Sequence, residues 1–362
     1  METMKKSLNC IAYYLGQFHS IPENDRFWGE GFTEWHNVAR ARPLYRGHEQ
    51  PKLPGRFGFY DLRCTETLAA QIDYAQEIGV TAFCFWHYWF AGKRLLHRPL
   101  DDMLKLGRPE LRFILGWANE SWSGVWHGAS DKVIVEQSYD KQELVDHAVL
   151  LSTYINSGHY LEIDGRFPFV IYKPRQIPNP VEYLGQLREH ISRLTGARLY
   201  VIGNWSPGRN YEFSELAALG LDAAVVTPIA TYFRSPLLSA GYRLLRRNMT
   251  KAGLGPEVRR YETVIPALER GIRSVKGISH ATVVTGWDNT PRSGRRGLVL
   301  SGYNEATLRR AAKSAIQLER KNETPILFVK SWNEWAEGNT VEPIFHERWS
   351  AGSTLREILR DE

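Results

Sequence analysis

At 362 residues the chain is too long for one small domain and fits a single α/β barrel, which takes about 250 residues plus insertions. Its composition, 43% hydrophobic and 24% charged, supplies a large core. No apolar run approaches the roughly 18 residues of a membrane-spanning helix, and the net charge of +6 comes with no recognition module for nucleic acid, so neither a transmembrane helix nor a nucleic-acid partner is expected.

The chain opens Met-Glu-Thr-Met-Lys-Lys-Ser-Leu-Asn-Cys, which superficially resembles a lipoprotein leader. The apolar stretch is broken by Asn9, Gly16, Gln17 and His19, so no export signal is expected. Cys10, Cys64 and Cys84 cannot all pair, and two of them lie in apolar strand-like runs. Reduced cysteines and a cytoplasmic location follow.

Short apolar, β-branched or aromatic runs predict strands at 10–15, 81–88, 112–117, 167–172, 198–204, 223–227, 282–286 and 326–330. Between them, helices are expected at 65–78, 100–106, 141–157, 180–194, 214–219, 261–275 and 305–321, with 353–360 closing the chain. Leu68, Ile72, Ala75 and Ile78 illustrate the helical spacing of the apolar positions. Eight such alternations predict a single (β/α)8 TIM barrel over residues 1–362. An open doubly wound sheet lacks its Gly-x-Gly-x-x-Gly turn. Long insertions follow strand one (16–64) and strand six (228–260), and loops of that length usually carry function. The segment 241–276, beginning Tyr242-Arg243-Leu244-Leu245-Arg246-Arg247, holds nine Lys/Arg against three Asp/Glu. It reads as a solvated helix face or as a surface for an anionic membrane, a lipid-linked diphosphate or a sugar nucleotide.

In such barrels chemistry sits where strands end, and here those ends are polar and aromatic. Strand one ends in Tyr13, Tyr14, Gln17 and His19, and strand two in Trp86, His87, Tyr88 and Trp89. Strand three contributes Trp117, Asn119, Glu120 and Trp122, strand four Tyr172 and Lys173, and strand five Asn204 and Trp205. Strand seven ends in Trp287, Asp288 and Asn289, and strand eight runs into Trp332, Asn333, Glu334, Trp335 and Glu337. Aromatic faces suit pyranose rings and the polar groups suit hydroxyls, so a sugar is the expected ligand. The candidate binding residues are Tyr14, Gln17, His19, His87, Tyr88, Trp89, Trp117, Asn119, Glu120, Tyr172, Asn204, Trp287, Asp288, Asn289, Trp332, Asn333 and Trp335. Metal-ligand spacings are missing, so neither a metal nor another cofactor is expected.

Cleaving or forming a bond at an anomeric carbon calls for one carboxylic acid and one carboxylate. Glu334 and Glu337, three apart beyond strand eight, can face one cavity if the chain turns there, and Gly338 permits the turn. Two like charges would raise one pKa, as a group protonated near neutrality requires.

Several of these stretches resemble the WbsX-like glycosyltransferases of bacterial polysaccharide gene clusters. They are the run from Tyr13 to Asp25, Trp28-Gly29-Glu30-Gly31-Phe32-Thr33-Glu34-Trp35, Gly47-His48-Glu49-Gln50-Pro51, His87-Tyr88-Trp89-Phe90, Trp117-Ala118-Asn119-Glu120-Ser121-Trp122, Gly286-Trp287-Asp288-Asn289-Thr290 and Asn333-Glu334-Trp335-Ala336-Glu337-Gly338. That family is similar to glycoside hydrolase family 99, barrels that act on α-mannosides with retention through a Glu-x-x-Glu pair. The resemblance implies that Glu334 deprotonates the substrate's 2-hydroxyl and that Glu337 is the acid/base at the glycosidic oxygen. Ala336 stands where those hydrolases often carry a histidine, which leaves sugar and acceptor open.

Three functions stay in view. One is a retaining enzyme that cleaves or transfers a glycan during surface-polysaccharide (O-antigen or capsule) synthesis. A second is a glycosyltransferase with a nucleotide- or lipid-diphosphate donor held by Arg292, Arg295 and Arg296, since barrels often bind phosphate after strand seven. The third is a non-catalytic glycan-binding protein. The first two place an oligosaccharide or sugar donor in the site, with peripheral contact to the inner membrane or a lipid-linked glycan.

Overall fold

The computed structural model describes residues 7–123, 133–205, 213–229 and 254–361, with Leu245, Asn248 and Met249. Eight strands form the centre: β1 (Asn9–Tyr14), β2 (Ala82–Phe90), β3 (Arg112–Trp117), β4 (Phe167–Ile171), β5 (Leu199–Trp205), β6 (Ala223–Val226), β7 (Ser279–Val284) and β8 (Ile326–Lys330). Each pairs in parallel with the next, and β8 returns to β1 with Phe328 beside Ile11, which closes the barrel. The expected (β/α)8 architecture is present.

Such strands are buried on both faces, which is why they read as unbroken apolar runs rather than as alternations. The helices α1 (Thr65–Glu77), α2 (Arg98–Leu106), α3 (Lys141–Ile155), α4 (Pro180–Thr195), α5 (Phe213–Ala218), α6 (Val264–Arg273), α7 (Glu305–Glu319) and α8 (Ala351–Arg360) cover the outer face. Leu68, Ile72 and Ala75 of α1, with Ile78 just beyond it, are all buried, as their spacing requires. Local signals stop and start these helices. Gly107 ends α2 in the left-handed conformation, and Asn304 with Thr307 forms a capping box that begins α7.

Two strands differ from expectation. β7 starts at Ser279 rather than 282, because the polar His280 is accommodated in the core between Glu319 (3.1 Å) and the hydroxyl of Tyr200 (3.0 Å). β2 continues to Phe90 and folds back on Lys93–Leu95 through Ala91 and Gly92, both at positive φ.

The insertion after β1 holds two short helices, Pro22–Trp28 and Trp35–Ala39. Much of the insertion after β6, including the basic run Tyr242-Arg243-Leu244-Leu245-Arg246-Arg247, lies outside the described residues apart from Leu245. Among the described residues, no helix is long and apolar enough to cross a membrane.

Candidate active site

The turn after β8 makes the site. Asn333–Glu334 pairs antiparallel with Asn339–Thr340, and between them Trp335–Glu337 forms one turn of 3-10 helix. Glu334 leads into this turn and Glu337 is its last residue, and both side chains come to one cavity. Gly338 closes the turn at φ +62°, and a Cβ there would lie 2.8 to 3.0 Å from atoms of Asp288. The turn is anchored from the other end of the sequence. The Asn333 amide accepts from Leu15 N (2.7 Å) and donates to Leu15 O (3.0 Å), while Trp335 Nε1 donates to Glu342 (2.7 Å).

Both glutamates line a cavity of about 280 Å³ at the C-terminal mouth of the barrel. That is close to the roughly 300 Å³ at which small-molecule pockets begin. Its walls are aromatic: Tyr13, Trp86, Tyr88, Phe90, Trp122, Tyr172 and Trp287. Tyr13 stacks on Trp86 (5.0 Å between centroids), Trp86 meets Tyr172 edge-on (5.4 Å), and Tyr88 stacks on Trp122 (5.6 Å). Gln17, Glu34, Glu120, Asn204, Thr227, Arg292 and Lys330 add polar groups.

Charge is arranged unequally around the pair. Arg292 Nη1 donates to Glu337 (2.7 Å) and Nη2 to Glu334 (2.9 Å), and Lys330 Nζ donates to the second oxygen of Glu337 (3.3 Å). Burial and the charge of Glu337 push the Glu334 carboxyl up to about 7, against the pull of Arg292 and Lys330. Burial would raise Glu337 as well, but Lys330 and Arg292 together outweigh it and hold its carboxyl below the usual range. Below about pH 7 the pair thus holds a proton, on Glu334, which it gives up as pH rises through about 7, as expected when like charges share a site.

Of the residues expected at the site, Gln17, Tyr88, Glu120, Tyr172, Asn204, Trp287, Arg292, Glu334 and Glu337 meet in the cavity. The others are corrected, and strand alternation explains several of them. Trp86, Tyr88 and Phe90 point inward, so His87 and Trp89 point to the helices, where both rings stack with His147 of α3. Burial keeps the His87 imidazole low, at about 3. Tyr13 faces the cavity, and Tyr14 donates to Gln71 on α1 instead (2.7 Å). Trp117 packs on His147 and Tyr183. Asn119, between the cavity residues Ala118 and Glu120, holds the backbone of Lys173. His19 is buried away from the cavity lining, with its imidazole lowered to about 4 by burial.

Asp288 accepts from Gln50 (2.7 Å) and pairs with His48 (2.7 Å), and Asn289 accepts from Leu298 N (2.7 Å). Trp332 packs in the core against Phe83 and Tyr74, while Asn333 and Trp335 anchor the turn. These last five are supports and do not line the cavity. Arg295 and Arg296 are exposed and outside the cavity lining, and Arg292 is an ion-pair partner of glutamates rather than a free phosphate ligand.

Two charged residues of the cavity lining, Glu34 and Lys330, were not among those expected there. Glu34 sits in a loop with no periodicity to mark it. Lys330 did carry a signal, since a lysine ends an otherwise apolar strand. Among the described residues no group of three His, Cys, Asp or Glu side chains converges as a cation site.

The family model of the glycosyltransferase WbsX family matches residues 10–350. An uncharacterized protein WxcX of Xanthomonas campestris pv. campestris, matched in two strains, is 33% identical over 345 residues, covering 94% of this chain and 48% of the relative. The chain thus spans about half the length of the curated relatives it matches. Among solved structures, the GH99 endo-α-mannosidase from Bacteroides thetaiotaomicron superposes with a TM-score of 0.57 at 15% identity, over 98% of each chain. The same enzyme in complex with bis-tris-propane gives 0.56 at 15% identity, covering 98% of this chain and 96% of that one. At that identity the likeness is one of fold. Matched over nearly its whole length, the chain belongs to the glycosyltransferase WbsX family, a family of carbohydrate-active enzymes.

Proposed function

We propose that the chain cleaves or transfers glycosidic bonds with retention, using Glu334 and Glu337, during assembly of a bacterial surface polysaccharide. The observation that carries this reading is the buried carboxylate pair with unequal proton affinity in an aromatic-walled cavity. One guanidinium bridges the two groups, which favours the short separation of retaining pairs, about 5–5.5 Å, over the 6.5–9.5 Å of inverting ones. Glu334, carrying the proton, protonates the departing oxygen, and ionised Glu337 acts as base or nucleophile. These roles are the reverse of those the resemblance implies.

The test compares Glu334→Gln with Glu337→Gln on an α-mannoside panel bearing poor and activated leaving groups. An activated leaving group needs no proton, so it should restore Glu334→Gln and leave Glu337→Gln inactive. Restoration of Glu337→Gln instead would return the roles to those of the resemblance, and full turnover in both variants would end the catalytic reading.

The family's description as a glycosyltransferase supports a second reading, transfer of a sugar, for which we infer a nucleotide- or lipid-diphosphate donor. Arg295 and Arg296, exposed after β7, are then the remaining candidates for the diphosphate. Calorimetry with sugar nucleotides and a prenyl-diphosphate mimic tests it, and absence of binding to any of them removes it.

A further inference from the structure

The loop after β1 reaches the paired glutamates through one side chain. Glu34 Oε2 accepts from Arg292 Nε (3.2 Å) and from Asn37 Nδ2 (3.4 Å). Arg292's other two nitrogens are those already bonded to Glu337 and Glu334. None of the four side chains exceeds 9% exposure, so water does little to screen them. A guanidinium is planar with its donors in fixed directions, so anchoring Nε sets where Nη1 and Nη2 point. Without that anchor the preferred arrangement of an arginine beside a carboxylate is bidentate, with both nitrogens on one partner.

We propose that Glu34 is a positioning residue acting through Arg292: held at Nε, the guanidinium presents one nitrogen to each of Glu334 and Glu337 instead of two to either. The inference rests on reading those two glutamates as the acid and base. It gives the long β1 insertion a task in the chemistry.

The turn that carries Arg292 has separate support. Asp288, held by His48 and Gln50, accepts from Thr290 N (3.0 Å) and Thr290 Oγ1 (2.6 Å) at the start of that turn. Removing Glu34 should therefore free the guanidinium without releasing its backbone. The charge arrangement depends on the clamp. Facing the pair are Glu34 from the β1 loop, Glu120 after β3, Arg292 after β7 and Lys330 at the end of β8, with the tyrosines 88 and 172 in the walls. Glu120 is itself paired with Lys173, which leaves Arg292 and Lys330 as the cations bonded to the pair. Lys330 bonds Glu337 alone and sets the two apart, while the guanidinium, one nitrogen to each, fixes the size of that difference, which would change if both nitrogens went to one partner.

The experiment needs no substrate. Glutamates labelled with 13C at the side-chain carboxyl are titrated by NMR in wild type, Glu34→Gln and Glu34→Ala, with Glu334→Gln and Glu337→Gln assigning the two signals. In Glu34→Ala the ratio of the two proton affinities should change at least tenfold. In Glu34→Gln, which keeps an acceptor for Nε and loses only the charge, the Glu334 midpoint should move to lower pH by a smaller amount. Unchanged midpoints in a folded Glu34→Ala overturn the clamp. If that variant does not fold, Glu34→Asp takes its place, keeping the charge and withdrawing the acceptor from Nε, and unchanged midpoints there overturn the clamp equally. Because titration reports the carboxyls directly, a failure of the catalytic reading would show separately, as full turnover in the Glu334→Gln and Glu337→Gln variants.

Discussion

Glu334, Glu337 and Glu342 lie within nine residues and all three are buried, yet they are held in different ways. Glu342 sits behind the turn after β8 and accepts from Trp335 Nε1 (2.7 Å), Tyr60 OH (2.9 Å) and Gln71 Nε2 (2.6 Å). None of these donors is charged. Burial therefore prevails and pushes its carboxyl up to about 7 despite the hydrogen bonds. Glu337, equally buried, has two cations, and it is held low. Neutral donors leave Glu342 raised, one shared guanidinium leaves Glu334 raised as well, and only Glu337, with two cations, is held low. Glu342 thus reads as a support for Trp335, and the pair in front of it as chemistry.

The largest test of that contrast is activity. Glu337→Gln should lower turnover by about 10²–10⁴, the usual worth of a positioned acid or base, whereas Glu342→Gln should retain most of it when assayed at pH 6. Equal losses would erase the distinction. The pH–rate profile sharpens it: activity should fall as pH rises through about 7, where Glu334 loses its proton, and should fall at acid pH as Glu337 gains one.

Stability separates the same residues by sign. A carboxyl raised from 4.5 to about 7 in the folded state binds protons that the unfolded chain has released, so its contribution is complete below 4.5 and declines up to about 7. For Glu342 the loss is up to about 3 kcal/mol. Chemical denaturation at pH 5 and pH 8 should show that decline in wild type and a smaller one in Glu342→Gln.

Gly338→Ala offers a milder perturbation confined to the turn after β8, combining positive φ with contact on Asp288. It should cost about 1–3 kcal/mol, read by the same unfolding curves, while the Glu342 network behind the turn stays intact. The smallest effect belongs to Arg295→Ala with Arg296→Ala, both exposed, which should change stability by less than about 0.5 kcal/mol.

The barrel was legible because each strand is buried on both faces and each helix carries an apolar stripe. The turn after β8 was legible because two glutamates, two tryptophans and a glycine leave few other readings. Inward and outward parity was not. In a strand apolar on both faces, nothing local tells Trp86 from His87 or Tyr13 from Tyr14, and only packing against Gln71 and His147 decides. Arg292 was found in the sequence and given the wrong partner, since its ligands Glu34 and Glu334 lie far away along the chain. A salt bridge over 258 residues leaves no pattern to read.

That separation has a consequence for how the molecule acquires activity. Leu15 with Asn333, Glu34 with Arg292, His48 with Asp288 and Tyr60 with Glu342 join residues 318, 258, 240 and 282 positions apart. Contacts of such sequence separation form late, after loop closure has been met by barrel assembly. During synthesis Glu34 must wait for Arg292, made 258 residues later, and the carboxylate pair itself follows only with the turn after β8. A growing chain would therefore hold most of its barrel before it holds Glu334 and Glu337 side by side, and the cavity they line would exist only once the barrel had shut.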